Sequence, residues 1–372
     1  MSSGDDNSGK PLIVIADDDP VLRATHYLLE GPGEVSTDWV AAYFSSERVP
    51  PERLLAMSEA AGVRGRFAVH AVRGEAESDP SSHFARAAAI VLRRAQITAD
   101  TVLRAPRLKL VQRLGVRPDG IDLAATRAAG VKVSCIPRRT LAYTAEHAIL
   151  LMLALSKRIV EMDALTRSGE YDRDAVKPQN DVAYNWSGRG DLGGLYGKTL
   201  GIVGLGEVGT LVMRRAQAFD MRVLYFNRRR LEREQEAALR VDYRDMDALL
   251  AESDFVSLHA RDVPENVGLF GAKAFAAMKP TAMFVNTSRG RLVDEKALYD
   301  AVASGRIAGA GLDNHVIEPR PAGDPLSRLA NVIMTPHIAG GSRAGLLDEI
   351  AVILANCRAA IDGGAIQYAV GG

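Results

Sequence analysis

Three ionisable side chains in the second half of the chain stand where apolar runs end. Phe284-Val285-Asn286-Thr287-Ser288 leads into Arg289-Gly290, and Gly309-Ala310-Gly311-Leu312-Asp313 is followed shortly by Glu318-Pro319. Val332-Ile333-Met334-Thr335-Pro336 leads into His337. An arginine fork holds a carboxylate or polarises a carbonyl, and a histidine titrates close enough to neutrality to give or take a proton. A carboxylate beside that histidine stabilises the imidazolium. Taken singly, each residue reads as well as a surface arginine, a capping glutamate or a satisfied histidine. Together they make the set that reduction of a 2-oxo acid by hydride needs.

Context decides between these readings. Gly204-Leu205-Gly206-Glu207-Val208-Gly209 matches G-x-G-x-x-G, with the apolar run Thr199–Val203 before it and a predicted helix, Thr210–Phe219, after it. Gly204 permits the tight turn, Gly206 lets the backbone approach a pyrophosphate, and Gly209 allows close helix–strand packing. The helix N-terminus then favours the phosphate charge. In a doubly wound sheet the carboxyl ends of the strands line one crevice, so Arg289, Glu318 and His337 are expected to converge there.

A second strand, Arg222–Phe226, follows and ends in Asn227-Arg228-Arg229-Arg230. An NAD site usually has an acid here for the ribose 2′-hydroxyl. Asn227 carries no charge, and Arg228 and Arg229 suit a 2′-phosphate, so NADP is the expected cofactor, with NAD as the other choice. The competing reading makes Arg228–Arg230 the start of a solvated helix, pairing with Glu232 and Glu234.

The elements that must hold these residues form two β/α series. In the first half the expected strands are Leu12–Ala16, Ala89–Leu92, Leu108–Leu114 and Val131–Val133. Helices are expected over Val21–Leu29, Pro51–Ala61, Thr98–Leu103 and Asp122–Ala129, with the acidic run Asp17–Asp19 facing solvent. Residues Gly74–Ser82 read as loop. A long helix is predicted over Thr140–Ser168, its apolar face made of Ala145, Ile149, Met152, Leu153, Ile159 and Met162. A polar loop, Gly169–Gly197, precedes the second series. Its further strands are expected at Phe255–Leu258, Ala282–Asn286, Ala308–Leu312 and Val332–Met334.

Composition bounds the rest. At 372 residues two domains are the leading expectation, since one domain takes ~100–200 residues. Lys+Arg and Asp+Glu are 46 each, which leaves no basic footprint for nucleic acid or a membrane surface. Two cysteines, Cys135 and Cys357, are too few for a disulfide scaffold, a four-cysteine zinc site or an iron–sulfur cluster, and no metal site is expected. The N-terminal MSSGDDNSGKP reads as a disordered tail with no signal peptide, and AILLMLAL at Ala148–Leu155 is too short to span a bilayer. A soluble, cytoplasmic protein is expected.

Six stretches carry a resemblance. They are APRLKLVQRLGVRPDGIDLAA (Ala105–Ala125), TAEHAILLMLALSKRI (Thr144–Ile159), LYGKTLGIVGLGEVG (Leu195–Gly209), NTSRGRLVDEKAL (Asn286–Leu298), AGAGLD with EP (Ala308–Pro319) and NVIMTPHIAG (Asn331–Gly340). In this order they resemble the D-isomer-specific 2-hydroxyacid dehydrogenase family from about Ala88 to the C-terminus. The resemblance implies a catalytic Arg289, Glu318 as partner and His337 as acid/base. It places Glu207, Val208, Asn227, Ala260, Thr287, Ser288 and Asp313 against the cofactor, Asp313 at the nicotinamide amide. Backbone amides near Leu114, Gly115 and Val116 would hold the substrate carboxylate. The implied architecture is α/β, with two doubly wound parallel-sheet domains. A discontinuous flavodoxin-like substrate domain (residues 1–143 and 338–372) would flank a Rossmann cofactor domain (144–337), and the family's usual assembly is a homodimer.

Departures from the family pattern bear on the substrate. Arg117-Pro118 lies in the substrate loop, Leu92-Arg93-Arg94 replaces the more usual Arg-Ser, and Pro137-Arg138-Arg139 precedes the long helix. Arg93, Arg94, Arg117, Arg138 and Arg139 are candidates to read a second acidic group, or are surface residues. The expected reaction is reduction of glyoxylate or hydroxypyruvate. The alternatives are a phosphorylated substrate, as in 3-phosphoglycerate dehydrogenases, or a non-catalytic, NAD(H)-sensing corepressor-like role. His315, close after Asp313, is a second histidine, but the Thr-Pro-His context favours His337.

Overall fold

The computed structural model describes residues 9–45, 48–72, 81–171, 184–341 and 343–371. Most of the expected N-terminal tail, most of Gly74–Ser82 and the middle of Gly169–Gly197 lie outside the described residues. The chain divides into two compact units, Met1–Thr140 with Ser342–Gly372, and Leu141–Gly341. The second break falls beyond His337 because Asp313 hydrogen-bonds Ile338 and Ala339, which keeps that turn in the second unit.

In the first unit the strands are β1 (Leu12–Ile15), β2 (Ala68–Ala71), β3 (Ala87–Leu92), β4 (Leu110–Leu114) and β5 (Lys132–Ile136). They form one parallel sheet in the order β2-β1-β3-β4-β5, the flavodoxin-like arrangement. Every residue of β3 and β4 is buried; β3 accordingly reads as an unbroken apolar run, whereas β4 carries Gln112 and Arg113 at its middle. The C-terminal helix Leu346–Asp362 joins this core through Leu346, Leu347, Ile350, Ile353, Leu354 and Cys357. The acidic run after β1 does not simply face solvent, as its polarity suggested. Asp19 is buried and caps the helix Pro20–Glu30, and Asp17 accepts backbone N–H groups from Arg93, Arg94 and Ala95.

The second unit contains β6 (Thr199–Val203), β7 (Arg222–Phe226), β8 (Asp242–Tyr243), β9 (Phe255–Leu258), β10 (Met283–Asn286), β11 (Gly309–Leu312) and β12 (Val332–Met334). All are parallel, in the order β12-β11-β10-β9-β6-β7-β8. The chain starts at the centre, runs outward through β7 and β8, then returns to the other side of β6. The switch point between β6 and β9 opens the crevice of a Rossmann sheet. Strand β8, two residues long, escaped the sequence pattern because so short a run has no periodicity.

The expected single helix over Thr140–Ser168 is two helices, Arg139–Lys157 and Ile159–Ser168. Arg158 separates them in the left-handed region, φ 49°, its side chain bonded to Glu161 and Asp191. The first helix buries Ala145, Ala148, Ile149, Leu151, Met152 and Leu155 against β6 and β7, whereas the second has no buried residue. Periodicity alone continued through Arg158 because apolar Ile159 and Met162 keep the phase.

The first unit holds its returning helix with buried polar bonds as well as apolar area. Asn356 Nδ2 donates to Gln112 Oε1 (2.7 Å), Ser134 Oγ (3.1 Å) and Gln367 O (3.1 Å), and Oδ1 accepts from Gln367 N (2.8 Å). Asn356, Gln112 and Ser134 are fully buried. Asn356→Leu strands several of these groups away from water and should destabilise this unit by about 2–3 kcal/mol. Urea unfolding followed by circular dichroism measures it, and an unchanged midpoint would show the network to be dispensable.

Candidate active site

The helix after β6 begins at Glu207, not at Thr210, so Glu207, Val208 and Gly209 are its first turn. Gly204 lies at φ 101°, where a Cβ would stand 2.6 Å from Ala260 N. This close approach packs the turn onto the backbone that follows β9. Around Gly206 there is open space, and the helix has no side-chain cap, so its positive N-terminal end has room for an anion. Asn227, at the end of β7, accepts a hydrogen bond from Leu205 N (2.7 Å) and thereby shapes the glycine turn. That bond occupies its carbonyl oxygen, a role its position at the ribose end did not suggest.

Along the same carboxyl edge three buried polar atoms have no partner among the described residues: His259 Nδ1 after β9, Thr287 Oγ1 after β10 and Asn314 Oδ1 beyond β11. Buried polar atoms are normally paired, so this row fits a polar ligand lying along the edge. Burial pushes His259 down to about 4, which keeps the imidazole neutral beside that ligand. Its Nε2 meets Ser257 Oγ at 2.8 Å.

Arg228 and Arg229 do not begin a helix; the next one is Arg233–Leu239. Arg230 turns back onto Glu236 (2.7 Å at both nitrogens) and does not pair with Glu234. Arg230 and the Tyr225 hydroxyl on Glu236 hold that carboxyl down near 2. Arg228 and Arg229 are exposed and carry no ion pair among the described residues.

Arg289, Asp313 and His337 follow the neighbouring strands β10, β11 and β12. Buried Asn286 shapes the first turn: its Oδ1 accepts from Ser288 N (2.9 Å) and Oγ (2.8 Å), and its Nδ2 donates to Arg289 O (3.0 Å). Arg289 itself is exposed, with Nη1 donating to Ser288 O (2.6 Å). Gly290 admits no side chain, because a Cβ there would collide with the His315 carbonyl. His337 sits at φ 53°, and its Nδ1 lies 2.7 Å from Glu318 Oε2. Burial works to raise Glu318, but the bonds from His337 and from His315 N outweigh it and hold the carboxyl below its ordinary 4.5.

Asp313 is wholly buried, and its oxygens serve the turn that carries His337. They accept from Thr335 Oγ1 (2.6 Å), Ile338 N (2.8 Å) and Ala339 N (2.8 Å). His147, from the helix Arg139–Lys157, reaches Thr335 Oγ1 at 2.9 Å and lies 3.6 Å from Asp313 Oδ1. Neither His147 nor Asn286 was singled out from the sequence. A histidine on an otherwise apolar helix face was the available signal for the first.

The expected substrate-loop residues belong to the first unit. Leu114 is buried in β4 and Gly115 N is bonded to Ile136 O (3.0 Å), so that amide belongs to the sheet; Val116 and Arg117 are exposed. Of the extra cations, Arg93 pairs with Asp19, Arg117 with Asp119 (3.2 Å) and Arg139 with Asp348. Arg94 is exposed, and its guanidinium has no partner among the described residues. Among those residues no group of three or more His, Cys, Asp or Glu side chains could hold a metal ion, and no helix is long and apolar enough to cross a membrane.

A parallel sheet in this order, with a bare glycine turn at its switch point, defines a dinucleotide-binding domain. Comparison with known proteins narrows the class. Residues 149–339 match the family model described as D-isomer specific 2-hydroxyacid dehydrogenase, NAD binding domain. The chain is 42% identical over 246 residues to a glyoxylate reductase of Korarchaeum cryptofilum, covering 66% of this chain and 71% of that one. A D-3-phosphoglycerate dehydrogenase of Archaeoglobus fulgidus is 36% identical over 261 residues, 70% of this chain and 47% of its own length. The crystal structure of a glyoxylate reductase from Paecilomyes thermophila superposes with a TM-score of 0.53 at 26% identity, over 97% of this chain and 98% of that one. The chain belongs to the D-isomer-specific 2-hydroxyacid dehydrogenase family and is a nicotinamide-dependent oxidoreductase.

The lowered Glu318 carboxyl has a stability signature. Its folded value lies below the ordinary one, so its contribution is complete above that value and is lost as pH falls through the folded one. Glu318→Gln should therefore cost stability near neutral pH, and the cost should shrink as pH falls below the ordinary 4.5. Denaturant unfolding of both proteins across that range measures it. A pH-independent difference would show that the carboxylate charge contributes nothing.

Proposed function

We propose that the protein reduces a small 2-oxo acid, glyoxylate or hydroxypyruvate, to its D-2-hydroxy acid with NADPH, the second unit holding the cofactor. The observation that carries this reading is the 2.7 Å contact between His337 Nδ1 and Glu318 Oε2. With Nδ1 engaged, Nε2 is the nitrogen that offers a proton. Reduced nicotinamide, when bound, supplies hydride to the carbonyl carbon. As it arrives, His337 Nε2 delivers its proton to the carbonyl oxygen, and the ring becomes neutral with its hydrogen kept on Nδ1 and donated to Glu318. Arg289 keeps most of its N–H groups for the substrate carboxylate or carbonyl. Thr287, Ser288, Ala260, Glu207 and Val208 line the cofactor side in this reading.

Arg228 and Arg229, without ion pairs at the end of β7, support NADP over NAD. Arg94, whose guanidinium has no partner among the described residues, supports a second reading of the substrate, a doubly anionic acid of the 3-phosphohydroxypyruvate type. We infer also a cytoplasmic homodimer, for which the exposed apolar side chains of Leu150, Ile159, Val160 and Tyr196 provide contact area.

Loss of nicotinamide absorbance with a panel of 2-oxo acids tests the reaction. Turnover with glyoxylate or hydroxypyruvate is expected, and cofactor binding with no turnover on any acid would point to a sensing role. Arg228→Ala with Arg229→Ala should raise the KM for NADPH about tenfold or more while leaving NADH nearly unchanged, as loss of charge-assisted phosphate contacts requires. Equal effects on both cofactors would contradict the 2′-phosphate role. His337→Ala should lower kcat by about 10²- to 10⁴-fold with cofactor affinity retained. Wild-type turnover in that variant would end its role as proton donor.

A further inference from the structure

Family members usually have apolar residues after the aspartate that ends β11; this chain has Asn314-His315. His315 is buried, and its ring spans two segments. Nε2 lies 3.0 Å from Thr335 O, two residues before His337, and Nδ1 lies 2.8 Å from Arg320 Nη1, two residues after Glu318. Its backbone N–H donates directly to Glu318 Oε1 at 2.9 Å. A carbonyl only accepts and a guanidinium only donates, so one form of the ring satisfies both: hydrogen on Nε2, lone pair on Nδ1. Arg320 is itself pinned, by Glu295 at both oxygens (2.9 and 3.1 Å) and by Asp324 (2.9 Å). It cannot turn away without leaving two carboxylates in a mostly buried place.

We propose that His315 is a positioning residue for the proton-donating pair: a neutral imidazole strut, backed by Arg320, that sets the separation of Glu318 and His337. The inference rests on the reading of His337 as proton donor. The strut has a built-in response to acid. A second proton must go to Nδ1, where it would face the Arg320 N–H, donor against donor and cation against cation. Glu318, Glu295 and Asp324 are the acids around this contact, with Asp313 and His147 beyond Thr335. None of them accepts from Nδ1, so protonation breaks the strut and frees the loop that holds Glu318. Reduction thus needs His337 charged and His315 neutral, demands that falling pH pulls in opposite directions.

The test follows kcat for 2-oxo acid reduction against pH, at saturating cofactor, in the parent protein, His315→Gln and His315→Phe. Gln keeps one donor and one acceptor and does not titrate, whereas Phe keeps the bulk and loses both bonds. The expected result is a kcat about 10- to 100-fold lower for His315→Phe, the scale of a misplaced catalytic group, with cofactor affinity unchanged. His315→Gln should keep most of the neutral-pH rate and lose the decline on the acid side. Parental kcat and pH profile in His315→Phe, or an acid decline retained in His315→Gln, would overturn the proposal. Nitrogen-15 spectra of the parent's imidazoles, assigned through His315→Gln, provide a readout independent of turnover. A neutral ring protonated at Nε2 supports the strut, and a doubly protonated His315 at neutral pH overturns it. A parent that turns over no 2-oxo acid would overturn the functional reading, while the spectra still decide the strut.

Discussion

The buried carboxylate of Asp313 accepts two backbone N–H groups from the turn just after His337 and the hydroxyl of Thr335 just before it. His337 occupies the left-handed region, which costs a non-glycine residue about 1–2 kcal/mol and persists only where surrounding bonds determine it. Charge-assisted bonds of this kind in a buried setting are stronger than neutral ones and leave the turn little alternative. His337 is thus aimed by a carboxylate that is itself sealed from solvent. Glu318 then fixes the ring through Nδ1, so backbone and imidazole are held by two different acids.

The same edge of the sheet supplies the rest by repetition of one geometry. Each strand ends in a turn shaped by a short polar side chain or a glycine: Asn227 holds the glycine turn, Asn286 holds the Arg289 turn, and Asp313 holds the His337 turn. Parallel strands in register deliver these turns side by side, and the helix that starts at Glu207, without a side-chain cap, brings its N-terminus to the same edge. A chain built this way needs few residues of its own to form a site for a negatively charged, hydride-carrying ligand and a carbonyl acid.

Much of this was legible in the sequence, for a physical reason. Strands buried along their whole length, such as β3 and β11, read as continuous runs without polar side chains, and the glycine turn leaves a spacing that few other structures need. What stayed hidden depends on partners distant in the chain. Arg158 breaks the long helix through bonds to Glu161 and Asp191, while the apolar phase runs on past it. Asp17 looked like a solvated strand end, yet it gathers three N–H groups from beyond β3. Asp313, expected at the nicotinamide amide, also anchors the His337 turn through bonds from residues more than twenty positions away. The extra arginines looked alike, and only their neighbours distinguish Arg93 and Arg230, paired with acids, from Arg94, Arg228 and Arg229, which carry no ion pair among the described residues.

The central claim is that Asp313 and Glu318 aim His337 Nε2 at the carbonyl oxygen of a 2-oxo acid whose carboxylate or carbonyl is held by Arg289. A crystal structure with NADPH and oxamate, an unreactive mimic of such an acid, tests it most directly. Oxamate is expected within hydrogen-bond distance of both His337 Nε2 and Arg289, with the Asp313 bonds to Ile338 and Ala339 intact. Oxamate bound away from His337, or a His337 turn released from Asp313, would contradict it.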